Sequence, residues 1–140
     1  MSGYAGDLTP AQAWELLTSN PDARLVDVRT EAEWRFVGVP DTSATGKEPI
    51  LVEWASYPAM NRNEAFVDQL LAAGLEPGSD SPVVFLCRSG QRSIGGAMAA
   101  TAAGIGPSYN ILDGFEGGPD ASGHRGAQGW KAEGLPWHQG

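Results

Sequence analysis

Short apolar runs alternate with helix patterns along the chain, and this alternation restricts the fold more than any other feature of the sequence. The four strand candidates read "RLVDV", "ILVEW", "VVFL" and "YNIL", and a helix pattern separates each from the next. Alternation of this kind predicts parallel strands joined by right-handed helical crossovers. The run Val83–Leu86 is apolar throughout, which is typical of a strand buried on both faces. We therefore predict an α/β fold with a mostly parallel central sheet of four to five strands, flanked by helices on both faces.

Two capping boxes mark helix starts. The stretches T-P-A-Q from Thr9 and T-E-A-E from Thr30 each place a Thr three residues before Gln or Glu. Such pairs satisfy the free amide groups of a first helical turn. They predict a helix after Thr9 and a short helix over Glu31–Phe36. Apolar spacing and small residues predict two further helices, over Glu64–Gly74 and Ser93–Gly104.

Length and composition narrow the class of protein. The 140 residues fit one domain over residues 1–140, with a core from about residue 8 to 137. The net charge of −8 argues against a nucleic-acid partner, because phosphate backbones require a basic surface. A single cysteine forms no internal disulfide, so a reducing cytoplasm is the expected location. We see no signal-peptide pattern and no apolar run near the ~20 residues of a membrane helix, and we expect no membrane partner.

That single cysteine opens the segment "CRSGQRS", Cys87–Ser93, called here the Cys87 loop. A lone cysteine at a strand end is more often a small core residue than a nucleophile. The neighbours of Cys87 favour the second interpretation, because two arginines and the N-terminus of the next helix attract anions. A glycine lets the backbone amides turn inward. These features favour a thiolate, so we predict Cys87 as the catalytic residue. The predicted substrate-binding residues are Arg88, Ser89, Gly90, Gln91, Arg92 and Ser93.

The same residues carry a resemblance to a known family. The order strand, Cys, loop, Arg-Ser, helix, preceded by "LVDVRTEAEW" and followed by "ILDGFEGG", "GW" and "GLPW", resembles the single-domain rhodaneses, which are thiosulfate sulfurtransferases. The resemblance extends from about Leu8 to Trp137. It implies that Cys87 attacks the outer sulfur of thiosulfate, releases sulfite and carries a persulfide, which cyanide or a thiol then takes up. It implies no cofactor and a small thiosulfate-like anion as the sulfur donor.

The family pattern also bears on the choice of substrate. Rhodanese-like phosphatases and arsenate reductases carry one more residue between the Cys and the Arg, whereas here Arg88–Gln91 supply four. The shorter loop favours sulfur transfer over phosphate or arsenate chemistry. One departure lies at Val37, where many members have a histidine.

Three alternatives remain open at this point. The first is a sulfur-carrier module that takes persulfide sulfur from, or gives it to, a partner protein, since its loop chemistry would be the same. The second is a phosphatase or arsenate reductase, and the third is an inactive regulatory domain. The intact cysteine and both arginines speak against the third.

Other chemistry-bearing residues receive a structural interpretation. Asp27 and Arg29 follow a strand, where opposite charges usually pair. His124 and His138 lie in a Gly-rich loop and near the terminus, and with one cysteine they do not form a zinc spacing. Trp54 is a candidate for the border of the active-site mouth, since loops after parallel strands lie at that edge.

Overall fold

The structure is a computed structural model that describes residues 4–56, 61–78, 80–88, 90, 92–117 and 129–138. Within these ranges a helix separates each strand of the central sheet from the next one along the chain, as the sequence predicts. In chain order the elements are β1 (Gly6–Leu8), α1 (Pro10–Ser19), β2 (Arg24–Asp27), α2 (Glu31–Phe36), β3 (Val39–Pro40), a 3-10 helix (Ser43–Thr45), β4 (Ile50–Leu51), β5 (Ala55–Ser56), β6 (Asn61–Arg62), α3 (Phe66–Ala72), β7 (Val83–Leu86), α4 (Arg92–Ala102), β8 (Ser108–Ile111) and β9 (Trp137–His138).

The central sheet has five strands in the order β1-β8-β7-β2-β4, and every neighbouring pair is parallel. The prediction of a mostly parallel sheet of four to five strands is confirmed. β7 is central and its four residues are all buried, because helices cover both of its faces. Two short antiparallel pairs, β3 with β9 and β5 with β6, lie outside this sheet.

Apolar side chains form a separate core on each face of the sheet. On one face α3 and α4 pack through Phe66, Leu70, Ala97 and Ala100 against alternate residues of the strands. On the other face Ala13 and Leu17 of α1 pack with Trp130. Because parallel strands end at the same edge, this arrangement brings the segments that follow β2, β7 and β8 together.

Several boundaries differ from the sequence prediction. The predicted strand Ile50–Trp54 is regular only over Ile50–Leu51, since β4 lies at the sheet edge. Beyond it, single hydrogen bonds from Val52 N to Asp27 O (3.2 Å) and from Trp54 N to Val28 O (3.1 Å) replace a regular ladder. The segment after Trp54, predicted as a loop, contains the β5–β6 pair. Within the described ranges, no helix is long and apolar enough to cross a membrane.

Candidate active site

Cys87 directly follows β7, at the carboxyl edge of the sheet, where the sequence places it. The Gly90 amide donates a hydrogen bond to Cys87 Sγ at 3.0 Å. The Ser93 Oγ lies 3.3 Å from the same sulfur. Cys87 is 1% exposed, so few directions remain open for a reacting molecule. The sulfur thus has a backbone donor and a hydroxyl within hydrogen-bond distance.

The Gly90 donor depends on glycine. Its φ of +98° lies in the left-handed region that other residues rarely adopt. A Cβ at this position would lie 3.1 Å from Asp113 N and 3.3 Å from Ile111 O. Only a residue without a side chain therefore allows the loop to turn its amide toward Cys87 against the backbone that follows β8.

The segment after β8, residues 114–117, contacts the backbone of the first half of the loop and is called the brace here. Phe115 N donates to Cys87 O at 2.8 Å, and Glu116 N donates to Arg88 O at 3.0 Å. The approach is close enough that a Cβ on Gly114 would lie 2.3 Å from Cys87 O. This brace fixes the backbone of Cys87 and Arg88, although the two segments are far apart in sequence.

Arg92 is held by a carboxylate from α2. Its Nη1 and Nη2 donate to Glu33 Oε1 at 2.7 Å and Oε2 at 2.9 Å, a bidentate pair. Both side chains are about one-fifth exposed (21% and 19%). Glu33 Oε1 also accepts from the Thr30 amide at 3.1 Å, so the capping box of α2 and the Cys87 loop share one carboxylate.

Burial and pairing shift the pKa values of Glu33 and Arg92 in opposite directions. Burial alone would raise the pKa of Glu33, but hydrogen bonds from Arg92 and from the Thr30 backbone, with the charges of Arg92 and Arg29, hold it below its ordinary value. Burial alone would lower the pKa of Arg92, but the hydrogen bonds and charge of Glu33 raise it, and the charges of Cys87 and Asp27 add to this. Both groups are therefore ionised at neutral pH.

Arg88, the other arginine of the loop, is more exposed. Its side chain is 44% exposed, and its Nε lies 3.3 Å from Glu116 Oε1. The pair lacks hydrogen-bond geometry, since Glu116 Oε1 is buried without a hydrogen-bond partner. Each loop arginine thus faces one carboxylate, but only Arg92 is fixed by its partner.

An open cavity of about 390 Å³ adjoins the loop and includes both arginines and both carboxylates in its lining. Its remaining lining residues are Thr30, Ala32 and Val37. A larger cavity of about 630 Å³ lies beside β4 and α3. Its lining contains Glu31 and Glu53 but no residue of the Cys87 loop, so we assign the candidate site to the smaller cavity.

Asp27 and Arg29 form a fully buried ion pair next to the site. Arg29 Nη2 lies 2.6 Å from Asp27 Oδ2 and also donates to Gly38 O at 2.7 Å. The guanidinium carbon lies 4.2 Å from the centre of the Phe115 ring. These contacts tie the end of β2 to the brace, which agrees with the structural role predicted for both residues.

Of the predicted substrate-binding residues, the structure brings Gly90 and Ser93 to the sulfur and Arg88 and Arg92 to the cavity. Ser89 and Gln91 lie outside the described residues, as does His124. Trp54 does not line the 390 Å³ cavity but packs on Phe66 with ring centres 5.0 Å apart.

Sequence reasoning missed three residues at this site, namely Glu33, Asn110 and Glu116. The sequence identifies Glu33 only as part of a capping box, because no local pattern connects it with Arg92, which lies 59 positions away.

The chain is similar over nearly its whole length to known proteins. A family model described as the STR4 middle domain matches residues 6–140, a range that contains the Cys87 loop and its brace. The chain belongs to this family. The crystal structure of Rv0390 from M. tuberculosis is similar to this STR4 middle domain, with 60% identity, a TM-score of 0.89, and coverage of 98% of this chain and 99% of that one.

Two further solved structures define the fold. A rhodanese-like domain protein from Staphylococcus aureus matches with 18% identity and a TM-score of 0.53, covering 79% of this chain and 87% of that chain. The polysulfide-sulfur transferase homodimer from Wolinella succinogenes matches with 28% identity and a TM-score of 0.62, over 96% of this chain and 78% of that one. The fold is rhodanese-like α/β, as the sequence resemblance implied.

Proposed function

We propose that this STR4 middle domain is a sulfurtransferase that moves sulfane sulfur from thiosulfate, or another donor, to a thiophilic acceptor through a persulfide on Cys87. The observation that carries the proposal is the Gly90 amide directed at Cys87 Sγ at 3.0 Å, at the carboxyl end of the central strand. An N–H donor favours an anionic sulfur over a neutral one. The name of the Wolinella relative, a polysulfide-sulfur transferase, supports the same class of reaction.

The proposed cycle has two displacement steps at sulfur. The Cys87 thiolate attacks the outer sulfur of thiosulfate, the sulfur–sulfur bond breaks, and sulfite leaves with the electron pair. Cys87 then carries the outer sulfur as a persulfide. Cyanide or a thiolate attacks that outer sulfur in the second step, forms thiocyanate or a new persulfide, and releases Cys87 as the thiolate.

Steady-state kinetics with thiosulfate and cyanide test this cycle. Thiocyanate formation should give parallel double-reciprocal lines, because the first product leaves before the acceptor binds. Cys87→Ala should abolish turnover, while circular dichroism reports an intact fold. Full activity in Cys87→Ala would exclude the proposed nucleophile, and intersecting lines would exclude the persulfide intermediate.

A second candidate is a carrier that loads from a protein persulfide. It is favoured by the charges that line the 390 Å³ cavity, because the positive Arg88 and Arg92 there face the negative Glu116 and Glu33. Paired cations attract a dianion such as thiosulfate less strongly than unpaired ones. A carrier should load Cys87 much faster from a protein persulfide donor than from thiosulfate, whereas an enzyme for thiosulfate should load at comparable or higher rates from thiosulfate.

A further inference from the structure

A network of hydrogen-bonding side chains connects Cys87 with Ser93 on α4, Asn110 on β8 and Asp7 on β1. Ser93 Oγ lies 3.3 Å from Cys87 Sγ and 2.5 Å from Asn110 Oδ1. Asn110 Nδ2 donates to Asp7 Oδ1 at 3.0 Å. Ser93 and Asn110 are 0% and 1% exposed, so their part of the network is shielded from water. The proposed function uses Cys87 and the Gly90 amide and leaves Asn110 without a role.

The direction of the hydrogen bonds follows from the chemistry of the groups. A carboxylate only accepts, so Asp7 holds the Asn110 amide with its NH₂ toward β1 and its oxygen toward Ser93. That oxygen also only accepts, so the Ser93 hydroxyl donates to it. A hydroxyl has one proton, and Ser93 therefore presents a lone pair to Cys87 whenever it donates to Asn110.

This arrangement favours the thiol form of Cys87. A thiol can donate its S–H to the Ser93 lone pair, whereas a thiolate needs a donor. Ser93 supplies one only by turning its proton away from Asn110, which leaves a buried amide oxygen unpaired. The Gly90 amide acts in the opposite sense, because its N–H stabilises a thiolate more than a thiol.

We propose that Asn110 is a positioning residue that holds the Ser93 hydroxyl away from Cys87 and so sets the balance between thiol and thiolate, with Asp7 orienting Asn110. The proposal rests on the proposed function only in treating Cys87 as the reactive group. The charged and titratable groups on the elements packed around the loop include Arg88, Arg92, Glu33, Glu31, Arg35, Asp27, Arg29, Asp113, Glu116, Lys131, Asp7 and Tyr4, whose hydroxyl donates to Asp7 Oδ1. A substitution at Asn110 leaves all of these charges in place.

The test measures the alkylation rate of Cys87 by iodoacetamide as a function of pH, since only the thiolate reacts. Asn110→Leu keeps the branching of the side chain at Cγ and removes its acceptor. It should shift the midpoint of the profile down by about half to one pH unit and raise the rate at pH 6.5 roughly 3- to 10-fold. In a Ser93→Ala background the same substitution should leave the midpoint unchanged.

Exposed Asp7 gives a second route that does not depend on a buried substitution. Asp7→Ala frees the amide to reverse and should shift the midpoint in the same direction as Asn110→Leu. Asp7→Glu keeps the negative charge and a carboxylate that only accepts, so it should retain the wild-type profile. Absence of a shift in Asp7→Ala, or a shift in Asn110→Leu that persists without the Ser93 hydroxyl, would overturn the proposal. Alkylation reports on this proposal even where thiosulfate fails to load Cys87, so the two failures remain distinguishable.

Discussion

The two ends of the Cys87 loop carry the same residue type in different settings. Arg92, at the second end, makes two charge-assisted hydrogen bonds to Glu33, and both partners are largely buried. Arg88, at the first end, is 44% exposed and faces Glu116 without hydrogen-bond geometry. Buried bidentate pairs fix structure, whereas exposed pairs contribute little stability but change the local charge. Arg92 is therefore fixed by its partner, whereas the Arg88 side chain is more exposed and less constrained.

The sharpest contrast is expected between Arg92→Ala and Arg88→Ala. Arg92→Ala leaves the Glu33 carboxylate largely buried without its partner and should lower the free energy of unfolding by about 2–3 kcal/mol. Arg88→Ala breaks no hydrogen bond to Glu116 and should lower it by less, about 0.5–1 kcal/mol. Urea unfolding of the two variants measures both values. Equal losses would remove the distinction between the two ends.

The turn between the two arginines gives the next largest effect. Gly90→Ala should lower the free energy of unfolding by about 2 kcal/mol and slow persulfide loading, because φ is +98° and the backbone after β8 blocks the new Cβ. Gly46→Ala is the matched control, since its φ is +76° with open space around the site, and should cost about 1 kcal/mol. A loss in Gly90→Ala no larger than in the control would show that the contact with Asp113 is unimportant.

The pair between Glu33 and Arg92 should appear in the pH dependence of stability. The pKa of Glu33 is lower in the folded protein than its ordinary value of 4.5, so its ionised form contributes stability above that pH and loses it as the pH falls through the folded pKa. At pH 7, Glu33→Gln should be less stable than wild type by about 1 kcal/mol. Unfolding measured from pH 7 to pH 3 should show this gap closing below pH 4.5. A constant gap would exclude the ionised pair as its source.

The smallest effect is expected at the pair formed by Arg88 and Glu116. Glu116→Gln removes one negative charge from the cavity lining and should raise kcat/KM for thiosulfate about 2- to 5-fold at low salt. The gain should shrink as the ionic strength increases. Glu15→Gln makes the same charge change on the exposed surface of α1 and should leave kcat/KM unchanged. An equal gain in both variants would indicate a response to net charge alone.

Local patterns predicted the local structure well. Both capping boxes form their reciprocal hydrogen bonds, at Thr9 and at Thr30, and β7 has the predicted bounds Val83–Leu86. In contrast, β1 was missed because Gly6–Leu8 is only three residues long and shows no strand pattern of its own. It becomes a strand through pairing with β8, which lies far away in the sequence.

The candidate site shows the same contrast between residues with a local sequence signal and residues placed by long-range contacts. Cys87 and its loop were found because their residue types are unusual next to each other. Glu33 bonds Arg92 across 59 positions, and Asn110 bonds Ser93 across 17, so no local period connects either pair. Which carboxylate reaches which arginine depends on how the strand ends meet at the edge of the sheet, and that is a property of the tertiary fold.

The central claim is that the single thiol of this chain carries sulfane sulfur, and intact mass spectrometry tests it most directly. Wild type and Cys87→Ser are incubated with thiosulfate or with a persulfide donor and weighed before and after cyanide is added. The account predicts that only wild type gains the mass of one sulfur atom, and that cyanide removes it as thiocyanate appears. No mass gain from either donor, with Cys87 reduced and open to alkylation, would contradict the account.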